Sequence, residues 1–180
     1  MISRRDFIKK TSTLGFSSLL LPSISFGNNF NKKDKIRVGL IGVGLRGRST
    51  LSLLLSRNDV KVSCICDIDK GSIAYSKKIF DDYNKKTPRI FDEGEYDYRN
   101  LLKRKDVDAV IISTPWRWHF KMAIDSMKEK KYVGMEVGGA LNIKECWDLV
   151  NTYEETGTHL FILENVCYRR DVMAVLNMVR

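Results

Sequence analysis

Three glycines and one aspartate have the spacing that most suggests chemistry in this chain. Gly42, Gly44 and Gly47 follow the apolar run 36–41 and open a helix-like stretch that extends to residue 56. In a G-x-G-x-x-G turn, one glycine permits the tight turn, one lets the backbone approach a diphosphate, and one lets helix pack on strand. Asp67 ends the next apolar run, where a carboxylate binds the ribose hydroxyls of NAD and repels the extra phosphate of NADP. The pattern predicts NAD binding; the alternative is that the glycines serve packing alone.

These residues must be positioned by a regular alternation of strands and helices. Strands are predicted at 36–41, 60–66, 108–113, 132–136 and 159–163, with a weak one at 89–91, and helices at 46–56, 70–83, 96–104, 117–130, 142–156 and 170–180. Asp69 and Asn142 are predicted N-caps, and Gly157 a left-handed C-cap. Short apolar strands separated by helices indicate a parallel sheet covered on both faces. We therefore predict an α/β fold with a doubly wound parallel sheet, in which the ligand lies across the carboxyl ends of the strands.

Aromatic side chains follow the strand predicted at 108–113. Trp116, Trp118 and His119 come directly after it, with Pro115 suited to the turn. We expect the two tryptophans and the histidine to line the crevice, where aromatic faces can pack against a cofactor or a sugar. His119 is also a candidate general base. The alternative is that one tryptophan covers the sheet edge and that His119 only begins a helix.

Polar side chains also follow the last two strands. Glu136 precedes two glycines and either lies near the nicotinamide ribose or caps the helix that begins near Asn142. Asn165 can donate and accept hydrogen bonds at the ribose or the carboxamide. Trp147, in the apolar pattern of the 142–156 helix, is predicted to be a core residue.

Composition and charge indicate one globular domain and argue against nucleic-acid binding. The 180 residues are 43% hydrophobic and 29% charged, with a net charge of +9. Residues 1–35 hold seven Lys or Arg against two Asp, and the rest shows no basic stripe interleaved with aromatic residues. The four cysteines lack C-x-x-C spacing, so we expect buried free thiols and no metal site; they are Cys64, Cys66, Cys146 and Cys167.

The first 27 residues are predicted to be a twin-arginine signal peptide. Arg4 and Arg5 precede a mildly apolar segment at 14–26, which is too short to span a bilayer, and 25–27 would serve as the cleavage site. This indicates passage through the twin-arginine export machinery to the periplasm or cell exterior, without a stable membrane anchor. Such export carries folded proteins and suits a domain that acquires NAD in the cytoplasm. The alternative is a basic amphipathic helix of a cytoplasmic protein.

Several motifs together resemble glycoside hydrolase family 109, the NAD-dependent α-N-acetylgalactosaminidases within the wider Gfo/Idh/MocA oxidoreductase family. They are G-V-G-x-R-G at 42–47, S-T-P-W-x-W-H at 113–119, V-G-x-E-V at 133–137, E-C-W-x-L-V at 145–150 and the long block E-N-V-C-Y-R-R-D-V-M-A-V-L-N-M-V-R at 164–180. The resemblance covers essentially the whole chain, including the leader. Many ordinary dehydrogenases of the wider family have a catalytic lysine in an E-K-P motif, where this chain has Glu136-Val137-Gly138. A plain sugar dehydrogenase is therefore less favoured.

The resemblance implies a hydrolysis in which NAD is recycled at each turnover, one of the exceptions to the two-carboxylate scheme. NAD takes hydride from C3 of the sugar, the C2 proton becomes acidic, the aglycone is eliminated, water adds, and the hydride returns. The cofactor contacts carried over by motif are Leu45 and Arg46 in the glycine loop, Asp67 on the adenosine ribose, and Trp116, Arg117, Trp118, His119, Glu136, Val137 and Asn165 beyond it.

The expected domain organisation is a signal peptide at 1–27, a linker at 28–35, a Rossmann domain at 36–170, and the start of a substrate domain at 171–180. Family members continue into an α+β domain that supplies the catalytic residues and the glycoside-binding site; it is absent from these 180 residues, so we expect a fragment without hydrolase activity. The helix at 170–180 should then expose an apolar face. Three hypotheses remain: the cofactor half of a family 109 glycosidase, that of an exported Gfo/Idh/MocA oxidoreductase, or a stand-alone NAD-binding module. The oligomeric state, including a homo-oligomer, is left open.

Overall fold

Strands and helices alternate along residues 35–180, the part of the chain that the computed structural model describes. The predicted signal peptide and the linker up to residue 34 lie outside it. The strands are β1 (Ile36–Ile41), β2 (Val60–Cys66), β3 (Arg89–Phe91), β4 (Ala109–Ile112), β5 (Tyr132–Met135) and β6 (Leu160–Ile162). The helices are α1 (Leu45–Ser56), α2 (Lys70–Asp82), α3 (Tyr98–Leu102), α4 (Trp116–Lys128), α5 (Ile143–Thr156) and α6 (Arg170–Met178), with a 3-10 turn at Val166–Tyr168.

The six strands form one sheet in the order β3-β2-β1-β4-β5-β6. Every neighbouring pair is parallel. The chain winds outward from β1 to β3 and then crosses back to β4 on the other side of β1. This reversal makes the gap between the ends of β1 and β4 the place where a ligand can enter. The predicted doubly wound sheet is confirmed.

Adjacent residues of the central strands supply two separate cores. Leu40 and Ile65 pack with α1 and α2 residues such as Leu51 on one face. Ile41 and Cys64 pack with α3 and α4 residues such as Leu101 on the other. Successive strand residues point to opposite faces, so a sheet that is covered on both sides needs the continuous apolar runs seen in the sequence.

The predicted helix ends are confirmed. The Asp69 carboxylate accepts a hydrogen bond from Ser72 N at 2.7 Å, and the Asn142 side chain accepts one from Glu145 N at 2.9 Å. Gly157 ends α5 in the left-handed conformation, with φ of 65°. The predicted third helix is shorter than expected, at Tyr98–Leu102 instead of 96–104.

Two predictions of burial are wrong. Trp147 is 63% exposed, because α5 packs against α4, buries Thr152, and leaves Ile143, Trp147 and Val150 on its outer side. All four cysteines are free as predicted, but only Cys64 and Cys66 are buried, whereas Cys146 and Cys167 are exposed on α5 and on the 3-10 turn. Burial raises the pKa of the Cys64 thiol to about 12, so this thiol stays protonated and unreactive at neutral pH.

The last helix lies outside both cores. Every residue of α6 is exposed, including Val172, Val175 and Leu176. The expectation that this helix exposes an apolar face is confirmed.

None of the helices between residues 35 and 180 is long and apolar enough to cross a membrane. Within the same range, no group of three or more His, Cys, Asp and Glu side chains is arranged to hold a metal ion.

Candidate functional site

The three glycines of the loop after β1 have different surroundings. Gly42 has φ of +88°, and a Cβ there would lie 2.8 Å from the backbone of Ser113 at the end of β4. A Cβ on Gly47 would lie 2.1 Å from the carbonyl oxygen of Gly42, so α1 can approach the strand only because this side chain is missing. A Cβ on Gly44 would meet no atom within 4 Å. The first two glycines therefore serve the turn and the packing, and Gly44 faces open space, as an approaching phosphate requires.

The N-terminus of α1 opens onto that space. Gly44 is its N-cap residue, no side chain caps the first turn, and no acidic residue lies in it. The first N–H groups of a helix have no partner within the helix, and the helix dipole adds partial positive charge. This end of α1 is thus suited to an anion such as a diphosphate.

Asp67 joins the glycine loop to the end of β2. Its Oδ2 accepts a hydrogen bond from Val43 N at 2.7 Å, and its Oδ1 accepts one from Asp69 N at 2.9 Å. Both bonds hold the carboxylate at the carboxyl edge of the sheet, beside the loop. A carboxylate in this position can also accept hydrogen bonds from the two hydroxyls of a ribose.

A cavity of about 310 Å³ extends over this edge of the sheet. Residues after β1, β2, β3 and β4 line it, among them Gly44, Asp67, Gly94, Ser113 and Trp118. The Oγ atom of Ser113 is buried and has no hydrogen-bond partner among the described residues. The cavity thus combines apolar walls with a free polar group and a carboxylate, as small-molecule sites do.

The aromatic residues of the turn between β4 and α4 do not all face the cavity. Trp118 lines the cavity as expected, together with Arg117, and the Trp118 ring contacts the Tyr96 ring edge to face, with centroids 5.5 Å apart. Trp116 does not line it. Its indole lies over Gly138, whose φ is +84° and where a Cβ would come within 2.8 Å of the indole ring.

His119 does not line the cavity either. It is 1% exposed, and its Nε2 lies 2.7 Å from the carbonyl oxygen of Thr114. Its Nδ1 is buried without a hydrogen-bond partner in residues 35–180, although the backbones of Glu136 and Gly138 are close enough to affect its pKa. Burial lowers the pKa of this ring. The expectation that His119 faces the crevice as a base is wrong, because the first turn of α4 directs the ring inward.

Two residues carried over from the family motifs contact each other directly. Nε of Arg46 in the glycine loop donates to Oε1 of Glu136 after β5, at 2.6 Å. The Arg46 side chain is 50% exposed and that of Glu136 only 12%. Asn142 and Glu145 form the hydrogen bonds that cap the start of α5. The alternative that Glu136 caps this helix is therefore wrong. Leu45, Val137 and Asn165 are exposed, on α1 and after β5 and β6, and do not line the cavity.

Several residues of the cavity wall were not predicted from the sequence. Ile68, Gly94, Glu95 and Ser113 all follow strands at the same edge of the sheet. The rule that ligands lie at the carboxyl ends of parallel strands would have found them. The signal was weak at Gly94, because β3 has only three residues.

Known proteins are similar to this chain in sequence and in fold. A glycosyl hydrolase family 109 protein from Parabacteroides distasonis is 40% identical over 99% of this chain and 41% of its own length. An α-N-acetylgalactosaminidase from Tannerella forsythia is 40% identical over 99% of this chain and 42% of its own. The chain thus spans about two fifths of the length of these curated relatives.

Solved structures show the same architecture. Scyllo-inositol dehydrogenase from Lactobacillus casei, solved with bound cofactor NAD(H) and scyllo-inositol, superposes with a TM-score of 0.70 over 81% of this chain and 41% of its own, at 15% identity. The family model of the Gfo/Idh/MocA proteins, described as an oxidoreductase family with an NAD-binding Rossmann fold, matches residues 36–163. Together with the glycine loop and its parallel sheet, this match shows that the chain belongs to the Gfo/Idh/MocA oxidoreductase family.

Proposed function

We propose that this chain is the NAD-binding part of a glycoside hydrolase that acts on terminal α-N-acetylgalactosamine or related residues. The observation that carries the proposal is the open glycine loop hydrogen-bonded to Asp67. It occurs in a chain 40% identical to a protein named as an α-N-acetylgalactosaminidase.

We assign the parts of the dinucleotide to residues along the carboxyl edge of the sheet. The diphosphate would lie at Gly44 and the uncapped start of α1, against the N–H groups of Leu45, Arg46 and Gly47. The adenosine ribose would bind Asp67, with the adenine in the cavity beside Trp118. The nicotinamide end would then extend toward Glu136, Val137 and Asn165 after β5 and β6.

Beyond the cavity, the turn after β4 would support the nicotinamide end of the bound NAD. Trp116 packs on Gly138, which joins the turn to the segment after β5, and His119 Nε2 contacts the carbonyl oxygen of Thr114 within the turn. In this arrangement Trp116, Arg117 and Trp118 can contact the cofactor, whereas His119 positions the turn that bears them.

The chemistry that NAD supplies when bound is a reversible oxidation at C3 of the sugar, which permits elimination across C1 and C2 before water adds and the oxidation is reversed. The described residues bind and orient the cofactor for this reaction. Glu136-Val137-Gly138 stands where many dehydrogenases of the family have a catalytic lysine. We propose that residues outside these 180 complete the catalytic and glycoside-binding site, and that the 180 residues alone bind NAD without hydrolysing glycosides.

The cellular setting is part of the proposal. The arginine pair at residues 4 and 5 supports twin-arginine export, and thus action in the periplasm or at the cell exterior. Association into a homo-oligomer also belongs to the proposal and can be measured by light scattering.

Titration with NADH tests the cofactor site. The Asp67→Asn variant keeps the size of the side chain but removes its charge, so NADH should bind about tenfold more weakly and the preference over NADPH should narrow. Asp59→Asn is the matched control, since Asp59 precedes the same strand at its other end and pairs with Arg57 at the surface. Equal NADH binding by the Asp67 variant and the control would refute the ribose assignment.

Product analysis of the full-length protein separates the hydrolase from its alternative. The family is described as oxidoreductases, so a sugar dehydrogenase is the second candidate. A hydrolase should release N-acetylgalactosamine from an α-linked substrate while NADH does not accumulate. Accumulation of NADH with an oxidised sugar would instead support the dehydrogenase.

A further inference from the structure

Arg48, on the first turn of α1, places its positively charged guanidinium close to the ribose end of the cavity. Its Nη2 lies 3.4 Å from the hydroxyl of Ser72, a cavity residue at the start of α2. Its guanidinium lies over the Tyr75 ring, 4.2 Å from the centroid. Its Nε atom is buried and has no hydrogen-bond partner within residues 35–180. Arg48 is thus half-buried and contacts a hydroxyl group and an aromatic ring. Among residues 35–180, no carboxylate forms an ion pair with it.

Two carboxylates line the cavity at the proposed ribose site, and one of them, Asp69, is also close to Arg48. Asp67 is bound to the glycine loop. Asp69 caps α2 through Ser72 N, and this hydrogen bonding, with a smaller contribution from Arg48, lowers the pKa of its carboxyl. Asp69 is therefore charged at neutral pH. The two carboxylates outweigh the single positive charge of Arg48 at the place where the 2′ position of the adenosine ribose would lie.

We propose that Asp69 acts with Asp67 to select NAD over NADP, and that Arg48 and Ser72 form a latent site for a 2′-phosphate that these two carboxylates mask. The inference rests on the proposed function, because it assumes that the adenosine ribose binds at Asp67. Guanidinium groups bind phosphate oxygens through paired N–H donors. The hydroxyl of Ser72 and the N-terminal end of α2 add further donors beside Arg48.

The masking carboxylates can be removed without removing the helix cap. Asparagine is as good an N-cap as aspartate, so Asp69→Asn should keep the bond to Ser72 N while deleting the charge. In the Asp67→Asn/Asp69→Asn variant, affinity for NADPH should rise about 10-fold to 100-fold, as expected for a charge-assisted phosphate contact. Titration of NADPH and NADH into the chain, followed by nucleotide fluorescence, measures both affinities.

The contribution of Arg48 is measured in the same background. Arg48→Met added to the double variant should cancel most of the gain for NADPH, and Arg48→Lys should keep part of it. Arg57→Met is the charge-matched control, since Arg57 ends the same helix and pairs with Asp59, and it should leave the gain intact. If Arg48→Met and Arg57→Met act alike, Arg48 does not bind the phosphate and the inference is overturned.

Folding and cofactor binding are checked independently. Thermal unfolding of every variant shows whether it is folded. If the double variant does not fold, Asp69→Asn alone, with and without Arg48→Met, should show the same Arg48-dependent gain at a few-fold. Failure of the unchanged chain to bind NADH would overturn the proposed function, whereas NADH binding without any Arg48-dependent response to NADPH would overturn only this inference.

Discussion

His119 shows how its immediate surroundings determine what a titratable side chain does. The ring is enclosed, its Nε2 lies in hydrogen-bond distance of the Thr114 carbonyl oxygen, and its Nδ1 has no hydrogen-bond partner among residues 35–180. Burial of a charged imidazole is unfavourable unless it is paired. The neutral ring is therefore part of the fold rather than of the chemistry.

This burial predicts a pH dependence of stability. Because the folded pKa of His119 lies below the ordinary value of about 6.5, the unfolded chain binds more protons between the two values. The free energy of unfolding should then be constant above the ordinary pKa and fall as the pH drops below it. Urea unfolding between about pH 5 and 8 measures the slope, which should be smaller in His119→Gln. An identical slope in the variant would show that His119 is not the titrating group.

At the scale of elements, the glycine loop has separate positions for packing and for ligand approach. Gly47 lets α1 meet β1, while Gly44 leaves space above the helix start. The same residue type thus serves stability at one position and binding at the other. The ion pair between Arg46 and Glu136 also joins this loop to the end of β5.

Paired alanine substitutions should separate these two effects. Gly47→Ala should lower the free energy of unfolding by about 1–3 kcal/mol or more, because the new Cβ would collide with a backbone oxygen. Gly44→Ala should leave stability nearly unchanged, since its φ of −65° suits alanine and its Cβ would meet open space. It should weaken NADH binding at least about tenfold by blocking the diphosphate. Retained NADH affinity in a folded Gly44→Ala variant would contradict the assigned phosphate position.

At the scale of the whole molecule, stability comes from the two cores on either side of the sheet. Leu51 and Leu101 are fully buried in these cores, whereas Leu176 on α6 is 40% exposed. The exposed apolar side of α6 and the outer side of α5 contribute little to the free energy of unfolding of residues 35–180.

Leucine-to-alanine substitutions test this distribution. Leu51→Ala should cost about 2–5 kcal/mol, from lost burial and the cavity that is left. Leu176→Ala should change stability by less than about 0.5 kcal/mol. Urea unfolding of both variants measures the difference. A large loss in Leu176→Ala would mean that α6 is packed against the rest of the chain in solution.

Short-range patterns were enough to predict the strands, the helix caps and the glycine loop. Periodicity, the spacing of Gly42, Gly44 and Gly47, and the cap at Asp69 depend on neighbours within a few residues, so their physical causes are present in the sequence itself. The parallel sheet followed from the regular alternation of apolar strands with helices. These features determined the fold class and the carboxyl edge at which Asp67 and Trp118 meet.

Only the tertiary structure decided how side chains distant in sequence meet. The contact of Arg46 with Glu136 joins positions 90 residues apart, and the exposure of Trp147 depends on which side of α5 packs against α4. Likewise, His119 faces inward because of how α4 is rotated on β4. Such contacts depend on strand order and on the rotation of each helix about its axis, which many long-range packing contributions determine together and which no local pattern encodes.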